Sequence, residues 1–276
     1  MSEPAASTVL YEVKDRVATV TLNRPERHNG MNYDMCVELH DTMLRAEADK
    51  SVSVIVFTGA GKSFCVGADI ATVKDSSEGV RQSKDIGKLF WQANVIQRAD
   101  YQGTHCYFPL IGKPIICMIN GAAAGVGVNY AAFSDIRFAA EDVTFAAAYV
   151  RRGIAAEWGS AWLLPKLMGH ANAADFLLSG RKIKAPEAKE MGLVNRVYPR
   201  EKLAEETYAY AAEMAQWCPP HALKLQKRQL WESYFQSLSE ANMMFKEFSR
   251  IAVRTEDIKE AMASFIEKRT PNFKGK

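Results

Sequence analysis

Apolar and polar positions alternate at the start of the chain. Val9, Tyr11 and Val13, then Val17, Thr19 and Thr21 set against Ala18, Val20 and Leu22, predict a hairpin turning at Lys14-Asp15-Arg16. The period then lengthens. After a polar loop at 25–32, Met35, Leu39, Met43 and Ala46 recur at helical spacing behind Asn32, a good N-cap, and predict a helix to about Asp49. Residues 54–58 and 115–119 are short, continuous apolar runs, the pattern of strands buried on both faces. Each run leads to small residues. Gly59, Ala60 and Gly61, then Val66-Gly67-Ala68-Asp69, follow the first, and residues 121–127, all Gly or Ala apart from Val126, follow the second. An apolar helix is expected from near Val128.

Further strands are expected at 136–139, 143–145 and 193–197. Helices are expected at 161–168, 171–179 and 185–191, the last with Pro186 in its first turn and Gly192 at its end. Residues 74–112 carry no strong strand signal and read as a mobile loop followed by an amphipathic, pocket-lining helix or, equally, as a surface excursion. Beyond Arg200 the pattern is helical only, over 202–217, 221–248 with a break, and 255–267. This shift divides the chain into a strand-rich core at 1–200 and a helical region at 201–276. The large apolar residues of that region (Trp231, Phe235, Met243, Met244, Phe245, Phe248) exceed what a small appendage buries alone, and contact between copies is their natural use.

Composition narrows the class. The 276 residues, 48% hydrophobic and 24% charged, suit one large domain or a domain with an appendage. No run approaches the ~18 apolar residues that span a bilayer, and the N-terminus has no basic flank with an apolar core, so a cytoplasmic protein is expected. Cys36, Cys65, Cys106, Cys117 and Cys218 are odd in number and without a CxxC pair, and read as free thiols. A net charge of +3 gives no case for a nucleic-acid partner.

The candidate chemistry lies in the turns. A Gly/Ala elbow lets a ligand approach backbone, and a helix starting there aims unpaired N–H groups at it. Close packing of strand against helix with no ligand accounts for the same residues. Two such elbows, however, can bring two backbone donors onto one atom. Glu157, at the mouth of an apolar helix, is either a base or an acid that complements the helix dipole.

Several motifs, in order, carry a resemblance from about Leu10 to the end: TLNRPE, FCVGADI, KPIICMINGAAAGVGVNYAAFSDIRFA, LLPKLMG, LSGRKIKAPEAKEMGLVNRV and FIEKRTPNF. The chain resembles the crotonase, or enoyl-CoA hydratase/isomerase, family. The resemblance implies an α/β fold, a ββα spiral core of two roughly perpendicular sheets with a C-terminal α-helical trimerisation region, assembled as a homotrimer or as a hexamer of two trimers. It implies an acyl-CoA thioester as substrate and no cofactor beyond the coenzyme A that the substrate carries. No metal is implied. The family's oxyanion hole falls on the backbone N–H of Ala68 and of Val126, flanked by Gly67, Asp69, Ile70 and Gly125. Val126 stands where Gly is usual, which raises the matter of room beside the carbonyl.

Two glutamates that position water in the family's hydratases are replaced here by Asn129 and Tyr149, so ordinary hydration is not expected. Glu157 matches the single carboxylate of peroxisomal-type enoyl-CoA isomerases, and of a bacterial phenylacetate-pathway isomerase that uses Asp. That match favours Glu157 as the base of a Δ3 to Δ2 double-bond shift, in apolar surroundings made by Trp158, Trp162 and nearby alanines. Arg27 and His28 match a loop that contacts CoA, and Phe265 and Lys268 a pair that reaches the CoA of a neighbouring subunit. Arg151 and Arg152 read either as neighbours of the site or as surface residues, and His105 either as a second acid/base or, as is commoner for a lone histidine, as a structural residue. A hydrolase, a dehalogenase, an atypical hydratase and a non-catalytic acyl-CoA-binding relative stand as alternatives.

Overall fold

A computed structural model of the chain describes residues 7–69 and 98–275. Ile70, and the part of the expected loop and helix at 74–97, lie outside the described residues. The hairpin forms from β1 (Val9–Lys14) and β2 (Val17–Leu22), antiparallel with Lys14 opposite Val17. Asp15 and Arg16 both take left-handed backbone (φ 49° and 63°), the geometry a two-residue turn needs to match strand twist. Helix α1 (Tyr33–Ala48) starts as expected at Asn32, whose side chain accepts the Met35 N–H at 3.0 Å. It buries Met35, Leu39, Met43 and Ala46.

Two sheets follow from a repeated alternation. The strands β3 (Val54–Gly59), β5 (Ile115–Ile119), β7 (Ile136–Ala140) and β10 (Arg196–Tyr198) join the hairpin in a sheet of order β1-β2-β3-β5-β7-β10, parallel from β2 onward. Between them the chain adds β4 (Ser63–Cys65), β6 (Ala122–Ala124) and β8 (Thr144–Ala146) to a second sheet, closed by β9 (Lys182–Lys184) in the order β4-β6-β8-β9. Each turn of chain thus gives one strand to each sheet. Phe57 of β3 and Phe64 of β4 meet edge to face at 5.4 Å, and Phe108 and Tyr130 complete an aromatic cluster between the sheets.

Helix α2 (Val126–Phe133) begins two residues earlier than expected, directly at the elbow, and all eight of its residues are buried. Helices α3 (Ser160–Met168), α4 (His170–Ser179) and α5 (Ala185–Glu190) complete the core. The strand expected at 193–197 forms only from Arg196. Leu193 and Val194 instead donate their N–H groups to the Ala188 carbonyl, which closes the end of α5.

From Arg200 the described chain is helical: α6 (Arg200–Trp217), α7 (Pro220–Glu232), α8 (Leu238–Ala252) and α9 (Glu256–Glu267). The break expected within 221–248 falls before Ser237, which starts α8 with a capping box to Glu240. Lys227 of α7 is almost sealed from solvent; its Nζ lies 2.7 Å from Asp135 and 3.0 Å from the Lys113 carbonyl, while Trp231 Nε1 donates to the same Asp135 carboxylate at 2.8 Å. The outer faces of α8 and α9 leave Leu238, Met243, Phe245, Phe265 and Ile266 exposed. No described helix is long and apolar enough to cross a membrane.

Candidate active site

The two elbows meet in the second sheet. Strands β4 and β6 run parallel as neighbours, Cys65 beside Ala123, so the turns that follow them leave the same sheet edge together. A Cβ added to Gly125 would lie 3.6 Å from the Gly67 Cα, ordinary contact distance, so the turns touch. Gly125 sits at φ 51°, ψ −120°, a conformation open in practice to glycine alone, and its N–H is held by the Ala146 carbonyl at 3.0 Å. Gly127 answers a different demand. A Cβ there would fall 2.1 Å from the Cys65 carbonyl oxygen, so only hydrogen fits between α2 and β4. Close packing and backbone access are therefore both present, at different residues.

The turns leave donors free. Among the described residues neither the Ala68 N–H nor the Val126 N–H has a hydrogen-bond acceptor. Ala68 is exposed and lies in a parallel bridge to Met31 whose bonds use its neighbours, Met31 N–H to the Gly67 carbonyl (2.8 Å) and Asp69 N–H to the Met31 carbonyl (2.9 Å). Val126 is the first residue of α2, where no side chain caps the helix, so its N–H is one of the unpaired first-turn donors. The Val126 side chain itself is buried in the core, only 6% exposed.

Side chains around the first turn fix it in place. Arg24 pairs with Asp69 at 2.8 Å and donates to the Gly30 carbonyl at 2.6 Å, so the Asp69 carboxylate is committed. Asn29, buried, donates from its amide to the carbonyls of Ala60 (3.0 Å) and Ser63 (2.8 Å). Its importance was not evident in the sequence, although its Asn-Gly pair marks a turn. Arg27 and His28 are exposed on the same loop, beside the elbow: the His28 carbonyl accepts the Val66 N–H at 3.3 Å. Phe265 and Lys268 are exposed at the end of α9, and no hydrogen bond or ring contact among the described residues joins them to the elbows.

Asn129 and Tyr149 are linked to each other. Both are buried, and Ser160 stands between them: its Oγ lies 3.0 Å from Asn129 Oδ1 and 3.2 Å from Tyr149 Oη. Asn129 Nδ2 donates to the His105 carbonyl at 2.9 Å, and His105 Nδ1 lies 2.6 Å from Tyr130 Oη. Burial holds the His105 imidazole neutral, with its pKa down to about 3. Burial first, and then the charge of nearby Glu157, push the Tyr149 phenol up to about 12. Ser160 was missed in the sequence, where one serine ahead of an apolar helix carries no distinctive signal.

Glu157 is on a loop, exposed, with its carbonyl accepting the Ser160 N–H at 3.0 Å. The apolar surroundings expected of Trp158 and Trp162 are not formed among the described residues. Trp158 is 41% exposed and sets its edge on His105 (4.6 Å between centroids), whereas Trp162 stacks on Phe235 at 5.3 Å. Trp158 lies before the helix in left-handed backbone (φ 53°), so helical spacing does not put the two rings on one face. Arg151 and Arg152 are exposed, and Arg151 donates to the Ser179 carbonyl at 3.1 Å.

Comparison with known proteins gives the family of the chain. A 1,2-epoxyphenylacetyl-CoA isomerase of Escherichia coli is 32% identical over 97% of this chain and 98% of its own length. A probable enoyl-CoA hydratase, EchA12, of Mycobacterium tuberculosis is 35% identical over 97% of this chain and 93% of its own. The crystal structure of an enoyl-CoA hydratase from Bacillus anthracis superposes with a TM-score of 0.86, at 28% identity, covering 98% of this chain and 100% of that one. The enoyl-CoA hydratase/isomerase family model matches residues 12–276, and the chain belongs to that family.

Proposed function

We propose that the protein shifts a Δ3 double bond of an enoyl-CoA to Δ2 without a cofactor. The observation that carries this reading is the two backbone donors that stand free in adjoining turns among the described residues. The Ala68 and Val126 N–H groups stand unpaired in touching turns, Asp69 is tied to Arg24, and the positions of the hydratase glutamates hold Asn129 and Tyr149. Glu157, which matches the single carboxylate of the family's isomerases, is the base on this reading. It removes the C2 proton of the 3-enoyl thioester, the two N–H groups hold the oxyanion of the resulting dienolate, and the protonated Glu157 returns the proton to C4. One group that takes and gives back one proton suffices for this reaction. The similarity to a 1,2-epoxyphenylacetyl-CoA isomerase supports a bond-shifting role, and it stands beside a similarity to proteins named as probable enoyl-CoA hydratases.

A second reading follows from the exposure of Glu157: a carboxylate open to solvent can activate water for thioester hydrolysis. Both are tested by incubating wild type and Glu157→Gln with 3-enoyl-CoA, 2-enoyl-CoA and an aryl-CoA in heavy water. The expected result is conjugated product from the 3-enoyl substrate, formed ~10²–10⁴-fold more slowly by the variant. Free CoA released in a Glu157-dependent way establishes the second reading instead. Hydration of 2-enoyl-CoA at a rate indifferent to Glu157→Gln removes both.

A further inference from the structure

The loop that carries Glu157 is exposed and is held mainly at its two ends, where the Arg152 and Ile154 N–H groups donate to the Tyr149 carbonyl (2.9 and 3.1 Å) and the Ser160 N–H to the Glu157 carbonyl (3.0 Å). Of residues 150–159 only Ala156 is even half-buried, and Gly153, Trp158 and Gly159 all take left-handed backbone. For tryptophan that conformation is costly and persists only where the surroundings impose it. Trp158 itself packs its edge on His105 at 4.6 Å, and the loop closes on a neck. Tyr149 precedes the loop, Ser160 follows it, and their hydroxyls meet at 3.2 Å, so a side-chain hydrogen bond joins the two ends of a ten-residue loop.

Donor and acceptor roles at the neck follow from the groups present. Asn129 Nδ2 donates to the His105 carbonyl, so Oδ1 faces Ser160 as an acceptor. The single hydroxyl proton of Ser160 goes to it, and the Tyr149 hydroxyl therefore donates to Ser160. Asn129 lies one turn along α2 from Val126, whose N–H is the second candidate oxyanion donor. The hydroxyl of Ser160 thus ties the loop of the acid to the helix of the donor.

We propose that Ser160 is a positioning residue: through Asn129 and Tyr149 it clips the neck of the Glu157 loop to α2 and sets the carboxylate relative to the Ala68 and Val126 donors. The inference rests on the isomerase reading of Glu157. A base displaced by about 1 Å loses on the order of 10²-fold in rate. Ser160→Ala is expected to lower kcat on 3-enoyl-CoA roughly 10–100-fold while KM stays within about twofold. Tyr149→Phe, which removes only one side of the clip and leaves Ser160 bonded to Asn129, is expected to give the same pattern more weakly.

A residue that merely supports the fold would lower any residual rate. In the Glu157→Gln background Ser160→Ala is therefore expected to cost less than about twofold, because the group it positions has gone. An equal loss in both backgrounds, a rise in KM alone, or wild-type kcat in both single variants overturns the inference. If wild type does not isomerise 3-enoyl-CoA, it is the isomerase reading that has failed, and amide hydrogen exchange over 153–159 decides the clip. Faster exchange there in both variants supports it; unchanged exchange overturns it.

Discussion

The elbows and the Glu157 loop are the two halves of one candidate site, built by opposite means. The elbows are backbone against backbone: Gly127 admits no atom between α2 and Cys65, Gly125 holds a conformation that side chains exclude, and strand pairing fixes the spacing of the turns. The loop is exposed chain hung from side chains, chiefly the Ser160 hydroxyl and the edge of Trp158 on His105. A donor that must sit at one fixed point is well served by the first construction. On the proposed isomerase reading the acid serves two carbons of the substrate and is better served by the second, because a loop can be moved or replaced without disturbing the sheets.

The contrast can be broken at the stiff end. Gly127→Ala puts a methyl 2.1 Å from a carbonyl oxygen, so β4 and α2 must separate and carry both donors apart. Its kcat on 3-enoyl-CoA is expected to fall at least as far as loss of one oxyanion donor, roughly 10²–10³-fold. Its thermal unfolding should reveal an overpacking cost of about 1–3 kcal/mol. Wild-type kinetics in this variant would show that the spacing of the elbows is not what matters.

The side-chain half is expected to be the acid-sensitive one. His105 is buried neutral, with its pKa down to about 3, whereas in the unfolded chain it titrates near the ordinary histidine value of about 6.5. Between those values the unfolded state binds the extra proton, so the contribution of His105 is complete above about pH 6.5 and is lost progressively as pH falls toward 3. At pH 5 that loss is on the order of 2 kcal/mol. Melting temperatures measured from pH 7 to 5 should fall less steeply for His105→Gln than for wild type; parallel curves would remove the argument. The smallest effect is expected at Val126. Its donor is backbone and its side chain is buried, so Val126→Ala should keep kcat within about threefold, and a larger loss would give the isopropyl group a role beside the substrate.

What the sequence revealed follows the length and period of each signal. The hairpin, α1 with its Asn32 cap, β3 and β5 have five or more residues of clear pattern and a recognisable boundary. The second sheet was not legible. Its strands are three residues each, Ser-Phe-Cys, Ala-Ala-Ala, Thr-Phe-Ala and Lys-Ile-Lys, too short for alternation to register. Only the Thr-Phe-Ala strand was expected, one residue early. Ala122–Ala124, read as part of a turn, is a strand because its small side chains let neighbouring backbones close on it. At the site, glycine marked the turns, but their contact is a product of the sheet that the sequence concealed. The exposure of Trp158 and the stacking of Trp162 on Phe235 were not legible, because which way a loop residue faces carries no period in the sequence.

Lys227 has a consequence for how the C-terminal helices bear on all of this. Its ammonium is shared between Asp135 and the Lys113 carbonyl, one at each end of the stretch that contains β5, β6 and α2. Lifting α7 away breaks the ion pair and the Trp231 hydrogen bond to Asp135 together, and removing the Lys227 charge by substitution, which leaves the Asp135 carboxylate short of its cation, is expected to cost about 3–5 kcal/mol. The helix therefore works as a latch with no half-open position, fastening from outside the two ends of a segment whose middle is fastened by glycine.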